Sequence, residues 1–454
     1  MMPTLAAPSR ATVLAALATT AITLAPSLHA QQSRPPLRQL GAAVATSEAL
    51  GAVSSVQHLP NGHLLVNDPV RRRVLLLDSA LKTVGVVADT TAATKSAYGS
   101  RGGGLLPFRG DSTLFVDPAS LSMLVIDPAG KVIRVMAAPR ANDVIFLMGG
   151  PQGNPGFDRK GRLVYRVMSF GGRAPGGAPG QPFVPPTFPD SAPIVRFDLM
   201  TRKLDTATFV KIAAPRMNVV QNESRVSVTP IINPLQEVDD WAILPDGTIA
   251  IVRRDYHVDF ISSDGVKTSA PKVPFDWQRL TDSAKVAVID SAKAQMERVR
   301  AAMIAGGPAA AATMMGAGGP GGGGAPMIVT RTIDGPPPRG GPGGAPDGPR
   351  PAGGQVMNMP QLTFVAPSEL PDYRPAFTNG SVRADAEGKL WVRVLPAKPT
   401  GGGPEYDVLD RAGKLVDRVA LPAGTTIAGF GSGGVVYLGV RDAAGVHVVR
   451  AREK

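Results

Sequence analysis

The sequence predicts an all-β fold, a six-bladed β-propeller. Three observations carry the prediction. A short phrase centred on a turn glycine recurs six times, a second two-strand pattern follows most of its copies, and the last copy lacks a final strand while an unpaired segment precedes the first. Internal repeats of this kind mark architectures in which each unit buries its apolar face only against the next.

The six copies are LPNGHLLVND (Leu59–Asp68), RGDSTLFVDP (Arg109–Pro118), FDRKGRLVYR (Phe157–Arg166), LPDGTIAIVR (Leu244–Arg253), ADAEGKLWVR (Ala384–Arg393) and FGSGGVVYLG (Phe430–Gly439). The first is the clearest. It predicts a strand over Val53–Leu59, a hairpin turn at Pro60-Asn61-Gly62, and further strands over His63–Val66, Arg73–Leu77 and Lys82–Ala88. Asn-Gly tolerates the positive φ that a tight hairpin demands, and four antiparallel strands in about 40 residues make one propeller blade.

The outer strands recur as an apolar run, an Asp, a turn and another strand. They are seen in Arg71–Val87, Ser122–Met136, Pro193–Val210, His257–Val273 and Glu405–Leu421. Asp78, Asp127, Asp198 and Asp410 are therefore expected to fold their own turns through side-chain hydrogen bonds. In the sixth copy Gly445–Ala451 supplies a third strand and no fourth follows. Leu37–Thr46 is expected to supply it, closing the ring and removing two exposed sheet edges.

Two gaps between turn glycines are long. The first holds the Gly/Pro loop Phe170–Pro189, and the second runs from Phe275 to Pro371. Within the second, residues 281–304 are expected to form a helix capped by Thr281. Ile289, Ala292, Met296, Val299 and Met303 share one face, with Lys285, Lys293, Glu297, Arg298 and Arg300 mostly off it. Residues from 305 to about 360 are rich in Gly and Pro and are expected to be disordered, with Met327–Ile333 as an apolar island.

Composition narrows the classes of function. Arg10, the apolar run Ala11–Ala25 and the small residue Ala30 have the pattern of a secretory signal peptide over residues 1–30. Residues 31–454 are then the propeller, exported to the periplasm or outside the cell and not membrane-spanning once the leader is cut. The chain contains no cysteine, which removes disulfides, thiolate metal sites and thiol nucleophiles. The formal charge of +12 suits solubility or an anionic partner. No basic stretch is interleaved with aromatics, so nucleic acid is not an expected partner. The expected partner is an anionic small molecule or another exported protein, and the expected state is a monomer.

VNDPVRRRVLLLD (Val66–Asp78) resembles the heart of an NHL-type repeat, with Asp68 and Arg73 in the matching places. Ser122 replaces the Arg in the second copy. Pro371–Arg393 followed by Tyr406–Pro422 is similar to exported bacterial six-bladed propeller proteins, whose insertion before the last two blades resembles Phe275–Pro371. This resemblance implies a fold and leaves activity open, because propellers host many unrelated functions.

No Gly-x-Ser-x-Gly elbow, phosphate-binding loop, HExxH or EF-hand loop occurs. His58, His63, His257 and His447 lie in or beside predicted strands without ligand spacing. Two constellations remain. The residues ending successive second strands, Asn67, Asp117, Arg166, Arg253 and Arg393, should come round on one face and ring the channel mouth. Arginine forks there would bind carboxylate or phosphate at two points, unless inter-blade ion pairs to Asp68, Asp240 or Asp255 occupy them. The second is Asp239-Asp240. Propeller lactonases, which the chain resembles in this respect, hold Ca²⁺ on carboxylate and amide oxygens at such positions, and a hard cation takes six to eight oxygens.

The leading expectation is a non-catalytic ligand- or protein-binding propeller without a resident cofactor. The rivals are a metal-assisted hydrolase or lyase of the lactonase-like type using Ca²⁺, and an assembly protein docking through the inserted helix and linker.

Overall fold

The computed structural model describes residues 34–91, 97–168, 188–222, 225–316, 363–397, 402–442 and 444–453. The expected leader, the Gly/Pro loop of the first long gap and the island at Met327–Ile333 lie outside them, except for the loop's last residues at 188–189.

Six antiparallel sheets follow one another along the chain. The first is Ser55–His58, Leu64–Asp68, Arg73–Leu77 and Thr83–Ala88. The second is Gly104–Pro107, Thr113–Asp117, Ser122–Ile126 and Val132–Ala137. The third is Gly156–Phe157, Leu163–Arg166, Ser191–Phe197 and Leu204–Lys211. The fourth is Asp240–Ile243, Ile249–Val252, Val258–Ile261 and Lys267–Ser269. The fifth is Phe377–Ala384, Leu390–Val394, Glu405–Leu409 and Leu415–Ala420. The sixth is Thr425–Gly431, Val435–Asp442 and Gly445–Arg452.

Every recurring phrase falls on the turn between a first and a second strand, where Gly62, Gly161, Gly247 and Gly388 take positive φ. The aspartates act as their spacing predicts. Asp78, Asp127 and Asp410 each accept two backbone amides across the turn that follows, and Asp198 does the same. Asp158 and Asp385 repeat the device at the inner turns of the third and fifth sheets.

The second strands are almost wholly buried, so each sheet is covered on both faces. The apolar core divides into clusters shared by sheets adjacent in sequence. One joins the first sheet to the second through Leu65, Leu76 and Phe115. Others join second to third, third to fourth, fourth to fifth and fifth to sixth. A further cluster joins the sixth back to the first, packing Tyr437 and Val448 among Val56, Leu64 and Leu77. Sheets packed face to face in this order, each built of sequential antiparallel strands, define a β-propeller.

The N-terminal segment divides between two sheets. Ala45–Thr46 adds to the sixth sheet, antiparallel to Gly445–Arg452, with Ala45 opposite Arg450. Leu37–Gln39 adds to the outer strand of the fifth sheet instead, in parallel register with Arg418–Ala420. Arg34 reaches further, to Asp276 at 2.6 Å and to the buried Asp407 at 3.4 Å. Asp407 also accepts the Tyr256 hydroxyl at 2.8 Å and meets Arg418 at 3.3 Å.

Outside the six sheets stands a small module that the sequence reading missed. A hairpin, Arg216–Asn222 with Arg225–Ile232, is extended by Thr363–Phe364 in parallel. The inserted helix packs on it, with Ile289 buried against Leu235, Leu280, Val365 and Leu370. The Thr281 hydroxyl accepts the Ala284 amide at 3.2 Å, which is the expected cap. The helix spans Asp282–Gly316, longer than expected. Ala301, Ala302 and Ala309–Ala312, the strongest helix formers, lie on either side of Gly306-Gly307-Pro308. The segment expected to be disordered is therefore helical up to Gly316, and 317–362 lies outside the described residues. Lys285 also departs from expectation. It lies on the buried face with its ammonium 2.8 Å from Asp372, its stem covering apolar surface.

Among the described residues, no helix is long and apolar enough to cross a membrane.

Candidate functional site

The first strands of neighbouring sheets adjoin, and their beginnings share one end of the fold with the ends of the second strands. Ser55 stands opposite Asn67, and Asp240 opposite Val252. All seven residues singled out from sequence fall at or near this end, but their surroundings differ.

Asn67 is fully buried and ties the first sheet to the second. Its amide donates to the Gly103 carbonyl at 2.6 Å and to Ser54 at 2.8 Å, and its oxygen accepts the Tyr98 hydroxyl at 2.9 Å. Asp117 accepts the Ala119 amide at 3.0 Å and the Ser120 hydroxyl at 2.5 Å, holding the loop after its strand. Asp68 does likewise for Gly51, Ala52 and Arg71, and its NHL-like partner Arg73 lies 3.5 Å away. These side chains are hydrogen-bonded to the protein itself.

Arg253 is similarly engaged. Its Nη1 donates to Asp239 at 2.8 Å and its Nε to Asp259 at 2.7 Å. Burial acts to lower its pKa, but the two carboxylates more than offset this and raise it. Asp239 also accepts the Lys211 amide at 2.9 Å and the Arg254 amide at 3.0 Å. Asp239 immediately precedes the fourth sheet and Asp259 lies in its third strand, so these ion pairs stay within the sheet that carries Arg253, where pairs between sheets to Asp68, Asp240 or Asp255 were expected.

Arg166 and Asp240 stand apart. Arg166 ends the second strand of the third sheet and is 5 % exposed. Its Nε meets no acceptor. Among the described residues its guanidinium has no hydrogen-bond or ion-pair partner, only the charge of Asp240 nearby. Burial pulls its pKa down, but a guanidinium stays protonated. Asp240 opens the fourth sheet, is 1 % exposed, and accepts the Val382 amide at 2.8 Å. Burial pushes its carboxyl up to about 7, against the opposing pull of backbone amides and Arg166.

A further cation joins them from the fifth sheet. Arg383 lies in the first strand, opposite Trp391, and senses both Asp240 and Arg393. It too has no hydrogen-bond or ion-pair partner among the described residues. It sits deep among protein atoms and yet keeps partial solvent access. Arg393 stands opposite Tyr406 in the same sheet, and burial pushes the Tyr406 hydroxyl above its ordinary range. Arg166 of the third sheet and Arg383 of the fifth thus form a loose cluster that shares the charge of one carboxylate of the fourth.

As a donor set the cluster suits an oxyanion. Guanidinium forks bind carboxylate or phosphate oxygens at two points each. As a cation site it is poor, since Asp240 stands among positive charges, and the described residues gather no group of three His, Asp or Glu able to hold a metal ion. The histidines are structural neighbours: His58 meets the Tyr437 hydroxyl at 2.8 Å, His257 meets Asp255 at 2.7 Å, and His447 meets the Ser47 carbonyl at 2.9 Å.

No protein-family model matches the chain, and no curated protein matches it. Among solved structures, it is similar to a gluconolactonase from Xanthomonas campestris at 12% identity, over 92% of this chain and 95% of that one, with a TM-score of 0.37. It is similar to the calcium-binding protein regucalcin from Agrobacterium tumefaciens at 10% identity, over 92% and 98%, with a TM-score of 0.36. It is similar to virginiamycin B lyase from Staphylococcus aureus at 9% identity, over 92% and 99%, with a TM-score of 0.33. Likenesses this distant carry no statement about activity.

Proposed function

We propose that this chain is an exported six-bladed propeller that binds an anionic ligand at its channel mouth without chemical turnover. In this reading the six sheets are the blades, and Ala45–Thr46 closes the ring by completing the sixth. Arg166, Arg383 and Arg393 supply the positive field and Asp240 orients it. Export rests on the leader pattern around Arg10 and Ala11–Ala25.

The observation that carries the binding role is Arg166, a buried guanidinium whose Nε has no acceptor. Burying a charge without a hydrogen-bonding partner costs several kcal/mol. A fold retains such a group where a ligand completes it. Asn67, Asp117 and Arg253, by contrast, are already completed by protein atoms.

A thermal-shift screen of the purified chain against anionic compounds, Ca²⁺ and EDTA tests this reading. Anions should raise the melting temperature of the parent protein and have a smaller effect on Arg166→Met. Stabilisation by Ca²⁺ alone, reversed by EDTA, would replace the anion site with a metal site.

A further inference from the structure

The outer edge of the fifth sheet carries one strand more than its own four. The other five sheets of the series have four strands each, whereas Leu37–Gln39 lies on the fifth as an added strand, through three residues in parallel register. Two side chains of this arm enter acidic sockets. Arg38 Nε donates to Asp417 at 2.7 Å. Arg34 stacks over the Phe275 ring, 5.3 Å from its centre, and ion-pairs with Asp276 and the buried Asp407. Tyr256 is fully buried, donates to Asp407 and packs edge-on against Phe275, so two walls of that socket are fixed. The arm nevertheless fills the sockets incompletely. Arg34 Nε and Arg38 Nη1 are buried without an acceptor. Arg34 meets Asp407 only at 3.4 Å, longer than an ordinary N–H···O bond. The arm cannot shift along the edge to improve this fit, because Ala45–Thr46, five residues beyond Gln39, are pinned in the sixth sheet. A chain without that tether can satisfy donors that the arm leaves unmet.

We infer that the outer edge of the fifth sheet is a docking site for an extended segment of a partner protein with two arginines four residues apart, and that Arg34–Gln39 is its resident stand-in. Backbone pairing to Arg418–Ala420 supplies affinity, and the two sockets supply choice. The tethered arm competes at high effective concentration, so a partner binds as the arm lifts. Lysine fits the Phe275 socket poorly, because stacking on a ring while meeting two carboxylates suits a planar guanidinium. This site is independent of Arg166 and Asp240.

The probe is a fluorescent peptide with the sequence of residues 34–41, RPPLRQLG, followed by anisotropy. It is titrated with the full chain as parent and with a variant whose arm is loosened by Arg34→Ala and Arg38→Ala together. The loosened variant should bind it at least about tenfold more tightly than the parent. A peptide with lysine in place of both arginines should bind about tenfold more weakly. Adding Asp417→Asn to the loosened variant should weaken binding about fivefold or more, whereas adding Lys131→Ala, an exposed charge elsewhere, should not. Circular dichroism verifies the fold of each variant, and Arg38→Ala alone replaces the double variant if that does not fold. No binding by a folded, loosened chain, or binding indifferent to Asp417→Asn, would overturn the docking site. Concentration-dependent dimers of the parent in light scattering, lost in the loosened variant, would overturn the partner assignment and make the occupant the arm of a second copy.

Discussion

The Asp240 carboxylate accepts a 2.8 Å hydrogen bond from the Val382 amide, and so ties the first strand of the fourth sheet to that of the fifth. The same carboxylate interacts electrostatically with Arg166 and with Arg383. A structural link and the electrostatic centre of the site are therefore one group, and its protonation affects both.

The stability of the protein should fall as pH rises from about 4 to about 7. Burial raises the folded-state pKa of Asp240 to about 7, from 3.8. The folded state then holds a proton that the unfolded state has released, so the contribution is present at low pH and lost as pH passes the folded value. The full effect is on the order of 4 kcal/mol. Asp240→Asn keeps an oxygen for the Val382 amide and cannot ionise. In urea denaturation the variant should match the parent near pH 4 and exceed it at pH 8. A difference independent of pH would show that Asp240 does not titrate in this range.

Arg166→Met should move that transition. Arg166 lowers the Asp240 pKa, so its removal should shift the pH midpoint upwards by about one unit or less, as a charge at an effective dielectric near 20 would. Stability at pH 5 should change little or rise, because an unpartnered buried guanidinium is replaced by an apolar chain of similar length. A large loss of stability at pH 5 would mean that Arg166 serves the fold and not a ligand.

Gly153→Ala should cost about 3 kcal/mol or more, and Gly62→Ala about 1 kcal/mol. Both glycines have positive φ. A Cβ at Gly153 would lie 2.0 Å from Trp241 Nε1, while one at Gly62 meets nothing within 4 Å. Trp241 is buried and its indole donates to the Gln152 carbonyl at 3.0 Å, so it cannot step aside. Equal melting temperatures for the two variants would contradict this packing.

Arg34→Ala should destabilise the protein by about 1–3 kcal/mol at pH 7. Arg34 is one of three partners of the buried Asp407, which Tyr256 and Arg418 also hold. Combining it with Asp407→Asn should give less than the sum of the two effects. Additive effects in a double-mutant cycle would show that the pair is uncoupled.

Much of the fold was legible because the inner hairpin repeats its chemistry. A glycine at positive φ, with an aspartate folding the turn in several copies, recurs wherever a first strand meets a second. The hairpin Arg216–Ile232 was not legible. No glycine lies between its two strands in sequence, and the Gly/Pro loop expected in that gap covers only Phe170–Pro189. Within the site, Arg166, Arg393 and Asp240 could be found by counting strand ends. Arg383 could not, because the fifth sheet's first strand breaks register between Phe377 and Val382, which displaces the count. The engagement of Arg253 by Asp239 and Asp259 was equally hidden, since one acid belongs to the loop before the sheet and the other to its third strand.

The division of the N-terminal segment between two sheets has a consequence for how the chain is made. Ser47 and His447 are hydrogen-bonded across 400 positions. A chain that emerges amino end first must leave Arg34–Thr46 waiting until nearly all the rest has appeared, because the strands it joins are among the last to be made. Contacts this remote in sequence form slowly. Until they form, the outer strands of the fifth and sixth sheets stand open to any extended chain nearby. A polypeptide stopped short of Gly445 would have no strand to receive Ala45–Thr46, and quality-control proteases would meet it with its last sheet unfinished.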